Sequence, residues 1–508
     1  MLFNSHIFIL AFLPITLLGF FLLGRLSSTR PARLWLLAAS LVFYGWWSIP
    51  YLGLLLLSML LNYALGLAII DRRERAPRAA WWLTAAGVTG NVALLAWYKY
   101  AAFVLDNVGA LTGLDFAFGA VILPLAISFY TFLQIAYVVD ARRGRAERYG
   151  FLDYCLFVTF FPHLIAGPIV HHYELIPQFH RPAIYRPRAA DIAAGVAFFA
   201  MGLLKKLLIA DPVGGLATPV FNGAGAPGLA EAWIGAVAFS VGLYYDFSAY
   251  SDMAIGLARM FGIVFPYNFN SPYRSASIID FWRRWHMTLS RFLRDYLYIP
   301  LGGNRHGGGR RSMNLMATML LGGLWHGAGW AFVVWGGLHG LYLLINHAWA
   351  GAVKAGRARA LPPAAARLLT LGAVLLAWVF FAAPDMSRAF AVLGGMAGVN
   401  GLAMPETAAL IQTLFSEGPR AVAAQIGGMA LLNQAVALST LVAALLIIAL
   451  LPNSQQMIDG RAADPAEAPR WPWLRFRPRF ATAFATAAAF LLALALMAEV
   501  KEFVYFQF

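Results

Sequence analysis

The sequence predicts an all-α polytopic membrane protein. Its 508 residues are 61% hydrophobic and only 12% charged, whereas soluble domains are about 45–50% apolar and about 25% charged. The mean hydropathy is +0.67, and a soluble protein could not bury this much apolar surface. The single cysteine, Cys155, excludes a disulfide scaffold. The net charge of +15 comes from short loops between apolar runs, which favours membrane topology over nucleic-acid binding.

Long apolar runs recur along the whole chain. A helix needs about 20 mostly apolar residues to cross the hydrocarbon core, so about 11–13 transmembrane or re-entrant helices are expected. The run at residues 151–169 contains Pro162 and Pro168, and we predict a re-entrant segment buried in protein because lipid cannot satisfy its freed backbone groups. The predicted spans are residues 7–23, 34–47, 52–70, 81–105, 116–139, 192–209, 230–257, 313–325, 331–348, 368–381, 431–451 and 480–497.

Lysine and arginine are concentrated in alternate loops, which predicts orientation because cytoplasmic loops are rich in both. Residues 25–33, 72–78 and 142–148 are basic, whereas residues 106–115 contain neither. Both termini are therefore predicted to face outward. We expect a motif-bearing core at 1–350, a basic cytoplasmic linker at 351–367, further transmembrane helices at 368–500 and an external tail at 501–508.

Residues 280–300 alternate arginines with aromatic and leucine side chains at helical spacing. The pattern predicts an amphipathic helix at the inner membrane interface. His286 lies in this segment, close to Arg283 and Arg284. From the pattern alone, His286 is either an incidental member of an interfacial helix or a functional residue.

The next segment, residues 302–311, combines glycines with Asn304, Arg305 and two further arginines. Exposed backbone N–H groups and guanidinium groups suit phosphate oxygens. The alternative is a flexible cytoplasmic loop that is basic for topological reasons. The glycine spacing matches no nucleotide-binding loop.

His326 lies in the apolar run at residues 320–330, next to Trp325. A helix from Arg311 to His326 would be roughly 22 Å long, which places this ring inside a hydrocarbon core of about 30 Å. A polar ring at that depth indicates a functional site, and histidine exchanges protons near neutrality. The alternative is a structural bond to a neighbouring helix, which is the simpler interpretation of His339. The flanking glycines allow a ligand or another helix to approach closely.

Two other features are ambiguous by pattern alone. Four histidines cluster on or beside the re-entrant segment, but their spacing matches no common metal site and we expect no metal. The last six residues read Phe-Val-Tyr-Phe-Gln-Phe, and by composition they form an aromatic belt at the membrane surface. The clustered histidines are His163, His171, His172 and His180.

Together these motifs resemble the membrane-bound O-acyltransferase (MBOAT) family, over most of the first 350 residues. The match is close to the bacterial branch that includes the membrane subunit of alginate O-acetylation and the D-alanyl transferase of teichoic acids. The 280–305 block and Trp325–Gly327 are its most specific parts, and Ala249 departs from the glycine usual in the family. The other matching segments are residues 1–5, 124–132, 161–169, 202–206 and 245–252.

The resemblance implies an MBOAT fold around a central tunnel, with His326 as the catalytic histidine and His286 as a second one. It implies transfer of an acyl group, by resemblance acetyl, from cytoplasmic acetyl-CoA or an acyl carrier protein, with no permanently bound cofactor. The protein would lie in a bacterial inner membrane, among lipid, with both termini periplasmic. Substrate contacts are expected from Trp325, Arg283, Arg284, Asn304 and Arg305.

The C-terminal Phe-x-Tyr-x-x-Phe is similar to the motif of a small membrane partner in teichoic-acid D-alanylation, where the tyrosine carries the acyl group. Tyr505 is therefore expected to relay acetyl to a periplasmic acetyltransferase of the Ser-His-Asp (SGNH) type, which would modify the exported polysaccharide. The closest alternative is a D-alanyl or other acyl transferase acting on teichoic acid or peptidoglycan. A transporter or a scaffold of a polymer-secretion complex is the alternative from another class.

Overall fold

The computed structural model describes residues 1–116, 119, 121–403, 412–426, 428–460, 471–477, 479–497 and 503. In that part of the chain all regular structure is helical. Five of the described helices are long and apolar enough to cross a membrane. The predicted all-α membrane class is confirmed. The five are Ile49–Arg72, Pro77–Thr112, Ala189–Asn222, Pro363–Ala382 and Leu432–Leu450.

The described residues divide into two compact units. The first unit comprises Met1–Leu203, Tyr250–Tyr267 and Arg477–Glu502, and the second comprises Leu204–Ala249, Asn268–Phe476 and Phe503–Phe508. In chain order, the helices that begin in the first 210 residues are α1 Phe8–Leu23, α2 Arg30–Gly45, α3 Ile49–Arg72, α4 Pro77–Thr112, α5 Ile127–Arg142, α6 Phe151–Thr159, α7 Phe161–Leu164, α8 His172–Phe179 and α9 Ala189–Asn222.

The predicted re-entrant run at residues 151–169 contains α6 and α7 in the first unit, and α8 follows it. The chain breaks at Phe160, two residues before Pro162, which lacks a backbone N–H and cannot extend α6. Residues 153–172 are buried without interruption. This burial agrees with the expectation that protein, and not lipid, surrounds the broken segment.

The predicted span at residues 116–139 is wrong over residues 121–126, because α5 begins only at Ile127. Ala126 before it adopts a left-handed conformation with φ of 61°. Pro124 disfavours helical geometry in the residue that precedes it. The apolar run therefore contains a non-helical approach to a shorter helix.

The second unit contains the motif-bearing segment. Further described helices, in chain order, are α10 Leu229–Met260, α11 Ile278–Arg284, α12 Met287–Leu293, α13 Gly307–His326, α14 Trp330–Lys354, α15 Pro363–Ala382, α16 Met386–Met396, α17 Pro419–Ile426, α18 Gly428–Leu450, α19 Ser454–Ile458 and α20 Phe480–Leu496. In the second unit α13 packs against α14, and the short helices α11 and α12 precede this pair.

Candidate active site

His326 is the last residue of α13, and its side chain is almost completely buried. Its ring meets three aromatic rings edge-on, at centroid distances of 4.9 Å to Trp325, 5.1 Å to Trp335 and 5.2 Å to Phe381. Edge-to-face contacts of this kind fix ring orientation as well as burying apolar area. The imidazole is therefore held in a defined direction within an aromatic enclosure.

Glycines set the position of α13 against α14. A β-carbon on Gly323 would lie 2.3 Å from the carbonyl oxygen of Phe332, and one on Gly336 would lie 2.3 Å from that of Met319. Only residues without a side chain permit this approach. The sequence predicted that the glycines flanking His326 admit either a ligand or another helix. At Gly323 the structure shows a neighbouring helix.

His286 lies at the junction between α11 and α12, where its φ of 41° and ψ of 54° are left-handed. Asn268 holds this junction through its backbone and its side chain. Its carbonyl accepts from the backbone N–H of Met287 at 2.9 Å, and its Oδ1 accepts from the Thr288 hydroxyl at 2.6 Å and lies 3.3 Å from Nδ1 of His286. The predicted continuous helix over residues 280–300 is wrong, because the chain turns at His286 and winds into a π-helical turn at Arg294–Tyr298.

Trp325 contacts both histidines that the sequence singles out. Its ring centroid lies 4.9 Å from that of His326 and 6.5 Å from that of His286. All three side chains are at most 6% exposed. Two segments that are separate in sequence thus bring both imidazoles to one indole.

Of the five predicted substrate-contact residues, Trp325 lies in this enclosure, and the other four are not buried. Arg283, Asn304 and Arg305 are exposed, whereas Arg284 forms an ion pair with Asp280 at 2.8 Å. The glycine-rich segment is not a loop throughout, because α13 begins at Gly307. Its preceding turn is held by the amide of Asn314, which donates to the carbonyl of Gly303 at 3.0 Å. Tyr505 lies outside the described residues.

Several site residues are absent from the sequence-based prediction. Asn268 orients the His286 junction, and Phe247 packs edge-on to His286 at 4.7 Å. Trp335 and Phe381 enclose His326. Of these residues, Asn268 is the one with a signal in the sequence. It is a polar residue in an aromatic-rich segment, and an amide that is buried there needs hydrogen-bond partners.

His339 is completely buried, and its Nδ1 accepts from the indole N–H of Trp282 at 3.3 Å. This contact supports the structural interpretation of His339. Its ring also lies 4.8 Å from Trp335, which encloses His326 on another side. His339 therefore supports the wall of the enclosure.

Two of the four clustered histidines of the first unit, His172 and His180, have side-chain partners in the protein. His172 lies 3.0 Å from the hydroxyl of Tyr149 and 3.2 Å from a carboxylate oxygen of Asp140. His180 lies 3.1 Å from a carboxylate oxygen of Asp153. Within the described ranges no three His, Cys, Asp or Glu side chains converge as a metal site.

The described residues define an all-helical membrane protein. Its buried histidines lie on a broken helical segment and at a glycine-packed helix pair. Residues 39–383 match the model of the MBOAT, membrane-bound O-acyltransferase, family. The chain belongs to this family and is an O-acyltransferase. As such an enzyme it uses an acyl donor.

Named relatives agree with this assignment. The chain is 43% identical over 430 residues to the peptidoglycan O-acetyltransferase of Helicobacter pylori, covering 80% of this chain and 81% of that protein. It is 43% identical over 403 residues to the probable alginate O-acetylase AlgI of Azotobacter vinelandii, covering 78% of each. The teichoic acid D-alanyltransferase of Streptococcus thermophilus is 28% identical over 247 residues, 44% of this chain and 57% of that protein.

Proposed function

We propose that this chain transfers an acetyl group from cytoplasmic acetyl-CoA across the inner membrane for O-acetylation of an exported, alginate-like polysaccharide. His326 is the general base and Tyr505 the acyl relay. The observation that carries the proposal is the contact of both His326 and His286 with Trp325. A buried pair of imidazoles in an aromatic enclosure suits proton transfer away from bulk water.

The chemical step joins the tyrosine to the donor. The phenol oxygen of Tyr505 attacks the thioester carbonyl carbon, the C–S bond breaks, and coenzyme A leaves as thiolate. His326 takes the phenol proton and returns it to the thiolate. A free phenol has a pKa of about 10, so it requires such a base near neutral pH. The products are acetyl-Tyr505 and coenzyme A.

Exposed residues on the predicted cytoplasmic side bind the donor in this proposal. Acetyl-CoA is highly charged and cannot enter hydrocarbon, so only its acetyl thioester needs to reach the buried histidines. Arg283 and Arg305 provide forked donors for phosphate oxygens, with Asn304 beside them. Arg284 shares its guanidinium with Asp280. Trp325 lines the path at the histidine pair.

The second transfer takes place outside the cytoplasm. The serine hydroxyl of a periplasmic SGNH-type acetyltransferase attacks the aryl ester, which is reactive because phenolate is a better leaving group than an alkoxide. The acetyl group moves to serine, and the proton lost by serine returns to the phenolate of Tyr505. The polysaccharide is then modified by that partner and never enters the membrane.

A cellular assay tests the proposed function. Exported polysaccharide from bacteria that express the chain is analysed for ester-linked acetyl and D-alanyl groups. We expect His326→Ala and Tyr505→Phe to lower acetyl ester at least about 100-fold, since a positioned base contributes about 10²–10⁴-fold. His6→Gln, at an exposed histidine outside both the enclosure and the 302–311 segment, should match wild type.

Each alternative predicts a different result in this assay. A D-alanyl transferase would alter ester-linked D-alanine in place of acetate. A transporter or scaffold would retain function in His326→Ala. Full acetylation with Tyr505→Phe would refute the relay.

A further inference from the structure

Phe503, the first residue of the C-terminal Phe-x-Tyr-x-x-Phe, is completely buried. The Nζ of Lys206 lies 4.6 Å from the centroid of its ring. This distance is within the range at which an ammonium group is attracted to an aromatic face. The tail therefore has a specific point of contact in the second unit.

Lys206 is an unusual residue at its position. It is 1% exposed and belongs to the π-helical turn Lys205–Ala210, inside an apolar helix long enough to span a membrane. Its Nζ lies 2.7 Å from a carboxylate oxygen of Asp246 and 2.8 Å from one of Asp211. Buried charges and π-helical turns in membrane helices are costly and occur mainly at functional sites.

The contact is linked to the histidine pair through neighbouring residues of α10. Asp246 pairs with Lys206, and the next residue, Phe247, packs edge-on to His286 at a centroid distance of 4.7 Å. The same stretch of helix thus faces both the tail contact and the enclosure. Tyr505 follows Phe503 by two residues, which span at most ~7 Å.

We propose that Lys206, held by Asp246 and Asp211, is the docking site for Phe503 and sets the register of the C-terminal tail. Lys206 and Phe503 are positioning residues, because they act through Tyr505 and not on the donor. The proposal rests on the proposed function only for the role of Tyr505. The docking itself is independent of the chemistry.

Docking is tested by digestion of the purified full-length protein with a carboxypeptidase, followed by intact mass. In wild type, the carboxypeptidase should remove residues 508 to 504 at most and leave Phe503 in place. Phe503→Leu keeps an apolar side chain but loses the ring, and trimming past this position should accelerate about 2- to 30-fold, the range that a cation–π contact supplies. Phe503→Ala should accelerate it further. Neither substitution alters a helix of the described fold.

A double-mutant cycle assigns the effect to the cation. Lys206→Met is combined with Asp246→Asn and Asp211→Asn, so that neither carboxylate partner is left opposite a missing ammonium. This triple substitution should weaken protection of wild-type tails but add little to Phe503→Leu, because the triple substitution and Phe503→Leu remove the same contact. Lys205→Met, in the same π-helical turn, is the matched control and should leave protection unchanged.

Four outcomes would overturn the docking site. The wild-type tail could be trimmed past Phe503, or Phe503→Ala could be trimmed at the wild-type rate. The effects of the Lys206 and Phe503 substitutions could be independent, or Lys205→Met could expose the tail as much as the Lys206 substitution does. A parallel incubation with labelled acetyl-CoA measures acetyl on Tyr505. If docking is observed without label, the relay fails and the docking site stands. If label appears, Phe503→Leu should lower its rate with an unchanged KM for acetyl-CoA, as expected of a positioning residue.

Discussion

At the scale of single residues, His286 shows how a site side chain is held by a neighbour that no motif identifies. Its left-handed backbone is uncommon for a residue with a side chain, and such conformations persist only where surrounding contacts fix them. Asn268 supplies those contacts through its carbonyl and its side-chain amide. The direction of the His286 ring thus depends on Asn268.

Replacement of Asn268 should damage catalysis more than binding. We expect Asn268→Ala to lower kcat at least about ten-fold with little change in KM for the donor, because a small misplacement of a catalytic group costs up to about 10²-fold. Thr288→Val, which removes one donor to Asn268, should have a smaller effect in the same direction. Thr370→Val, a buried threonine bonded to its own helix, is the control. A wild-type rate for Asn268→Ala would contradict this role.

Motifs identified both histidines from the sequence because each lies in a short, distinctive segment. The residues that enclose them were not predictable in the same way. Phe381 reaches His326 from another helix, and Phe247 reaches His286 from α10. Contacts between distant segments depend on how helices pack, and local periodicity carries no information about this.

At the scale of elements, the pair α13 and α14 places His326. Of the glycines predicted to allow a close approach, Gly323 does so, and its counterpart Gly336 on α14 was not predicted. Hydropathy located the apolar helices because length and composition define a span. Hydropathy misplaced the start of α5, and the helical spacing of residues 280–300 missed the break at His286, since both features depend on backbone conformation at single residues.

The helix pair makes a specific prediction about alanine substitutions. Gly323→Ala and Gly336→Ala each force a β-carbon against a carbonyl oxygen, so each should destabilise the protein by about 1–3 kcal/mol and displace His326. Gly337→Ala is the matched control, because its nearest contact would be an ordinary 3.5 Å to Leu320. Thermal unfolding in detergent and the acetyl-transfer rate should both fall for the first two substitutions only. Equal stability of all three variants would show that the close packing is not required.

At the scale of the whole molecule, the positive-inside pattern predicts that both termini face outward. In the proposed function this orientation would place the basic segments beside the cytoplasmic donor and the tail beside a periplasmic acceptor. The proposed relay requires this orientation, because a relay that ended in the cytoplasm could not serve an exported polymer.

Cysteine labelling tests this orientation directly. The native Cys155 is buried, and Cys155→Ser supplies a background without cysteine. In spheroplasts, a membrane-impermeant maleimide should label Thr112→Cys, at the exposed end of α4, and should label Ala360→Cys only after lysis. The opposite pattern would invert the topology and exclude a cytoplasmic donor at Arg283 and Arg305.

The most direct test of the account is the mass of the C-terminal peptide. Purified protein is incubated with isotopically labelled acetyl-CoA, beside His326→Ala and Tyr505→Phe. The account predicts one labelled acetyl group on Tyr505 in wild type and none in either variant. Coenzyme A release at the wild-type rate in Tyr505→Phe, with no label on the wild-type tail, would contradict it.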